Sequence, residues 1–207
     1  MGWANSADAA ASPVGPGAPY EPLPPPMSHR DHLSLIGVYY STAAALSHTR
    51  DFGGGFSWSG FTFEGRQRVY QSLAVGLSLA WQNFDYKSRE TATVGQVTVT
   101  GVMARQQTVF PLLATAHYTF RDGMEGPLPF LGLGLGAYSV NRILDVGPAA
   151  RFTDSSWHFG LAPEVGVAFP GTGGALLVAC RFHYAFKMDD TPQQTYFNFS
   201  VGGAFDD

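Results

Sequence analysis

Few side chains in this sequence are equipped for chemistry: 12 Lys and Arg, 16 Asp and Glu, six His and one Cys in 207 residues. The single Cys180 excludes an internal disulfide and a cysteine-based zinc centre. His117 and His183 have no His, Cys or Asp at ligand spacing, so they read as hydrogen-bonded side chains and no metal is expected. Hydrolysis would need a nucleophile beside an orienting base. His183-Tyr184-Ala185 lacks the nucleophile, His117-Tyr118-Thr119 offers only a threonine, and Gly-x-Ser-x-Gly is absent. The glycines at 132, 134 and 136 alternate with leucines and lead into neither a helix nor a lysine, so they are not a phosphate loop. No catalytic residue and no cofactor are expected. What remains is a handful of charges set among apolar residues: Glu64, Arg66, Glu164, Arg181 and the titratable His183. Charges in such surroundings must pair with one another.

The elements that carry them read as strands. Aromatic residues make up 14% of the chain, charged residues 14%, and there are 25 glycines, against roughly 25% charged residues in an ordinary soluble domain. The net charge of −4 suggests no nucleic-acid partner. No apolar run of about 18 residues is present, so a membrane could be crossed only by a closed sheet. Residues 1–30 form a separate unit, with seven of the 14 prolines between Pro13 and Pro26. It is expected to be a flexible leader, serving as a spacer or as a docking segment for a periplasmic partner. It lacks the cationic start and apolar core of a signal peptide, so none is expected within the sequence. From residue 31 to 207 apolar and small residues alternate in eight segments: 32–44, 56–68, 70–94, 97–120, 129–143, 155–169, 175–187 and 194–205.

Turn chemistry and alternation can be checked against each other in the third and fourth segments. Gly95-Gln96 suits a two-residue turn with glycine first. Counting back from it pairs Leu79 with Leu112, Leu77 with Ala114, Val75 with Ala116 and Leu73 with Tyr118, all apolar. The opposite face pairs Ser78 with Leu113 and Ala74 with His117. A slip of one residue would mix the faces. The arms exceed the ~10 tilted residues that a bilayer requires, so either the hairpin projects or bulges interrupt it, with Pro111 a candidate bulge. Elsewhere the bulky face carries Trp157, Phe159, Leu161 and Val165, then Phe197, Phe199 and Val201. The other face carries glycine, alanine and isolated ions. That second face would hold a soluble protein in water poorly, but it suits a narrow filled lumen. The bulky face then meets lipid, and Trp58, Tyr86, Trp157, Tyr184 and Tyr196 near segment ends are candidates for interfacial girdles. The competing soluble arrangement, a lipocalin-type barrel, would turn the bulky face inward.

Leu73–Trp81, Pro129–Tyr138 and Trp157–Gly166 resemble strands of small bacterial outer-membrane barrels of the OmpW-like and OmpX-like groups, over residues 31–207. The closing Tyr196–Phe205 resembles their C-terminal assembly strand. The resemblance implies an all-β, closed, antiparallel, up-and-down transmembrane barrel of eight strands in the outer membrane, with both termini periplasmic. It also implies contact with outer-membrane lipid, lipopolysaccharide and the barrel-assembly machinery. Parity directs Glu64, Arg66, Glu164, Arg181 and His183 inward. If Phe169 pairs with Leu176, Glu164 falls opposite Arg181. Pro163 marks a bulge or break and, by the resemblance, a lateral opening. The expected function is non-enzymatic: a structural barrel with a largely filled lumen, binding through extracellular loops. The alternatives are a conduit for small hydrophobic solutes and a component of a multi-protein envelope complex.

Overall fold

The computed structural model describes residues 34–94, 97–120, 126–146, 150–188 and 191–206. The leader 1–30 and the turn 95–96 lie outside the described residues. The elements are β1 (Ser34–Leu46), α1 (Ser47–Gly53), β2 (Phe56–Ser57), β3 (Ser59–Tyr70), β4 (Leu73–Val94), β5 (Val97–Thr119), β6 (Leu128–Val146), β7 (Ala150–Gly171), β8 (Gly174–Ala185) and β9 (Gln194–Asp206). Each strand from β3 onward pairs antiparallel with its successor, β1 pairs with β3, and β1 also pairs with β9. β2 adds two residues against β1 beside β3. The sheet is therefore a closed barrel of eight staves, with no free edge through its lower half.

The registers fix the shape of the barrel. From Ile36, the pairings run through Gly65, Leu77, Ala114, Leu135, Leu161, Tyr184 and Thr195 and return to β1 at Leu46, ten residues (46 − 36) further along. With eight staves, a stagger of this size tilts the strands by about 40° and leaves an interior that side chains alone can fill. The residues on this circuit project outward, and the alternate residues project inward. Leu77 is 65% exposed, Leu112 53%, Val165 55% and Phe199 47%. A belt this apolar would be untenable in water and belongs against hydrocarbon.

Pro111 does not produce the expected bulge. Leu79 pairs with Leu112 and Gln82 with Val109 in one register, with a gap in the ladder between them, while Pro111 keeps its place opposite Tyr138 on β6. The missing N–H thus faces β4 and removes ladder contacts without inserting a residue. Pro163 behaves likewise: Leu161 pairs with Tyr184 and Glu164 with Arg181, again without a shift. With no bulge to shorten it, the β4–β5 hairpin projects. Strands β4 to β7 contain 22, 23, 19 and 22 residues, whereas β1, β3, β8 and β9 contain 12 or 13. One side of the barrel continues as a four-stranded blade.

α1 folds into the mouth on the blade side. Its Thr49 accepts from the Thr195 amide (3.0 Å) and donates to Gln194 Oε1 (3.0 Å), while Gly53 lies against Phe84. At seven residues, with no side-chain cap at its start, this helix depends on tertiary contacts.

Candidate functional site

The lumen is filled in layers. At the end holding Ser34 and Asp206, Tyr39, Phe130, Leu177, Ala179 and Ala204 form an apolar floor. Above it lies a layer of ions. Arg66 grips Glu64 with two bonds, Nε to Oε1 at 2.9 Å and Nη2 to Oε2 at 3.2 Å. Arg181 donates through Nε to Glu164 Oε2 at 2.8 Å, and through Nη2 both to that oxygen and to Glu64 Oε2, the latter at 3.1 Å. Its Nη1 reaches Ser78 Oγ at 2.9 Å. Arg66 Nη2 also lies 3.6 Å from Glu164 Oε1. Two carboxylates and two guanidiniums thus form one charge-balanced, buried network, the arrangement that makes burial of such groups tolerable.

Backbone register brings these residues together. Phe169 pairs with Leu176, and Glu164 stands opposite Arg181. Glu64 and Arg66 share a face of β3 by parity. His117 joins them: its Nε2 lies 3.3 Å from Glu164 Oε2 and 3.4 Å from Glu64 Oε1, so its proton is on Nε2. His117 is on the rung that runs from Arg181 through Glu164 and Gly132. A Cβ at Gly132 would strike the His117 ring, which shows why this strand face is glycine. Glu64, His117 and Glu164 offer three potential ligand atoms within 4.8 Å of one another. Both carboxylates already hold arginines, so a dication entering this neutral layer would have to displace them.

His183 stands outside the ion pairs. It is one inward step further along β8 than Arg181, with Nδ1 3.1 Å from the Tyr138 hydroxyl and its ring stacked on Tyr196 at 4.5 Å. These residues, with Phe84, Val109, Leu113 and Val140, form a second, largely apolar layer above the ions. Tyr196 is therefore a lumen residue, not the girdle residue expected of it. Tyr86 likewise points to the inner face of the blade, beside Gly54. Proximity to a strand end suggested a girdle position, but parity decides orientation. Trp58 and Trp157 do face outward, 72% and 63% exposed. Gln107, Gln194 and Thr49 link the apolar layer to α1. The gap in the ladder at Pro163 is backed from inside by His183 and Tyr138. A void of about 10 Å³ beside Tyr39 and the ion layer has room for roughly one water.

Higher still, His158 Nδ1 lies 2.8 Å from the Phe186 carbonyl, which can only accept, so this nitrogen donates. Its Nε2 then accepts from Ser156 Oγ at 2.9 Å. This chain ties the segment leaving β8 back to β7.

A closed barrel of eight staves, bulky and apolar outside, with small residues and paired ions inside, meets the requirements for crossing a bilayer as a sheet. The chain has the fold of small outer-membrane β-barrels. Comparison with solved structures finds the same fold in Neisserial surface protein A, with TM-score 0.53, 18% identity, and 84% of this chain and 96% of that one covered. The attachment invasion locus protein Ail of Yersinia pestis also matches, with TM-score 0.50, 15% identity, and 84% and 99% covered. No family model and no curated protein matches the sequence.

Proposed function

We propose that this outer-membrane barrel is a non-conducting anchor that binds through its extracellular rim. The observation that carries this reading is the layered filling of the lumen: among the described residues an apolar floor, the ion layer, the Phe84–Tyr138–Tyr196 layer and α1 succeed one another, and the void beside Tyr39 holds about one water. The conduit reading needs a continuous passage, and this packing opposes it. Both described chain ends, Ser34 and Asp206, lie at the short-turn end of the barrel, with the blade at the other. Short periplasmic turns and long outer segments are the usual asymmetry of such barrels, which supports periplasmic termini. The blade offers the binding surface: β4 beyond Asn83 and β7 before Gly160 each have only one strand partner. Recognition of Tyr196–Phe205 by the barrel-assembly machinery belongs to the same reading. So does a periplasmic partner on residues 1–30, within an envelope complex, and co-purification with and without that segment tests it.

The decisive experiment is reconstitution into planar bilayers, together with a flux assay using a small hydrophobic solute in vesicles. The expected result is no unitary conductance and no flux above protein-free membranes. Stable conductance or saturable flux would sink the anchor reading in favour of a conduit.

A further inference from the structure

Above the packed lumen one guanidinium has two donor nitrogens without an acceptor among the described residues. Arg142 stands on the inner face of the blade, on β6. Its Nε and Nη2 are sealed from solvent and have no hydrogen-bond partner. These two atoms form the edge with which arginine holds two oxygens of a carboxylate or phosphate through two parallel bonds. Buried charged donors left without acceptors are rare in folded proteins, and each calls for an explanation.

The surroundings have the character of a site. Phe52, from α1, covers the guanidinium, its ring centroid 5.2 Å from Cζ. Phe52 is followed by Gly53, Gly54 and Gly55, and Gly54 has φ +86°, so this cover sits on a pliable segment. Arg105, opposite Leu144, is the diagonal neighbour of Arg142 on the same face and is itself engaged, its Nη2 3.3 Å from Met103 Sδ. The carboxylate of Asp154 stands directly across the ladder yet satisfies neither orphan atom. Gln107, on the other side, also has an unmatched acceptor, but its amide is committed to Gln194 at 2.8 Å.

We propose that Arg142 is the recognition point for one carboxylate, phosphate or sulfate group of a soluble ligand that enters the barrel mouth. Lipid touches the opposite face of these strands, so a lipid headgroup is not the source. The assignment deepens the rim-binding reading and rests on it for the side of the membrane from which the ligand arrives.

The test is an NMR titration of the full chain, refolded in nanodiscs with 15N-labelled arginine and phenylalanine, using sodium sulfate, phosphate and acetate at constant ionic strength. One Nε–Hε resonance, assigned by its loss in R142K, should move saturably with at least one anion. The Phe52 amide should follow it. R142K keeps the charge but not the fork, and it should weaken binding by about tenfold as read at Phe52. D154N removes a competing negative charge and should strengthen binding severalfold. No saturable shift with any of the three anions would overturn the site, as would unchanged affinity in R142K or a direct Arg142–Gln107 or Arg142–Asp154 bond in the free protein. Folding of each variant is checked by heat-modifiable gel migration. Conductance would sink the anchor reading and leave this titration intact, whereas a flat titration sinks the site alone.

Discussion

Removing Arg181 should harm the barrel more than removing Arg181 and Glu164 together. In wild type, Arg181 contacts Glu164, Glu64 and Ser78. R181M leaves two buried carboxylates facing one guanidinium, an uncompensated charge in a water-poor layer. Breaking a buried pair from one side costs about 3–5 kcal/mol. E164Q alone leaves two guanidiniums on Glu64 and should cost a similar amount. The double variant E164Q/R181M retains the two-bonded Glu64–Arg66 pair, with bonds of 2.9 and 3.2 Å, and is again neutral. Its remaining losses are ordinary hydrogen bonds at about 1 kcal/mol each, so about 1–2 kcal/mol in all. The coupling energy from the cycle should therefore be at least about 4 kcal/mol. The assay is reversible urea unfolding in lipid vesicles, followed by tryptophan fluorescence and gel migration. Single variants that match wild type, or a double variant no more stable than either single, would refute the reasoning.

Three further outcomes follow from the structure. Leu77→Arg, at mid-height of the lipid belt, should cost about 2–4 kcal/mol of unfolding free energy in vesicles, whereas Asp85→Arg, beyond the belt, should cost about 0–1 kcal/mol. Gly132→Leu drives a side chain into His117 and should destabilise by about 1–3 kcal/mol. Gly65→Leu, with nothing within 4 Å of its Cβ position, should stay within about 0.5 kcal/mol of wild type by the same denaturation. A nitroxide attached to Cys180 should relax with molecular oxygen but not with a water-soluble nickel chelate. The reverse accessibility would place this strand face in water.

Much of the fold was legible in the sequence, because side-chain period and turn chemistry constrain the same register. Leu77 opposite Ala114 and Leu73 opposite Tyr118 are observed as the count from Gly95-Gln96 implies. The segments match the strands to within a few residues, except that β7 begins earlier, at Ala150. α1 left no signal: seven residues, without a side-chain cap at the start, look like loop until the mouth of a barrel is there to receive them. The ion layer was legible only in part. Parity marked both His117 and His183 as inward, but height in the barrel depends on register through every intervening strand. The connection 121–127 is turn-like and 147–149 lies in a longer one, but neither fixes how many residues the turn takes, so the rung joining Arg181, Glu164, Gly132 and His117 could not be counted. Pro111 was misread as a bulge because a missing donor was equated with an extra residue, whereas Pro163 gives the break that its reading included; at both the chain forgoes ladder contacts without a shift.

The ion layer also bears on how the barrel enters its membrane. Glu64 and Arg181, 117 residues apart, meet only across the finished lumen. A sheet inserted stave by stave would drag these ions through hydrocarbon unpaired, at several kcal/mol each. Insertion must therefore keep the concave side hydrated until the first and last staves join, and the electrostatic reward arrives at the moment of closure, when retreat becomes hardest.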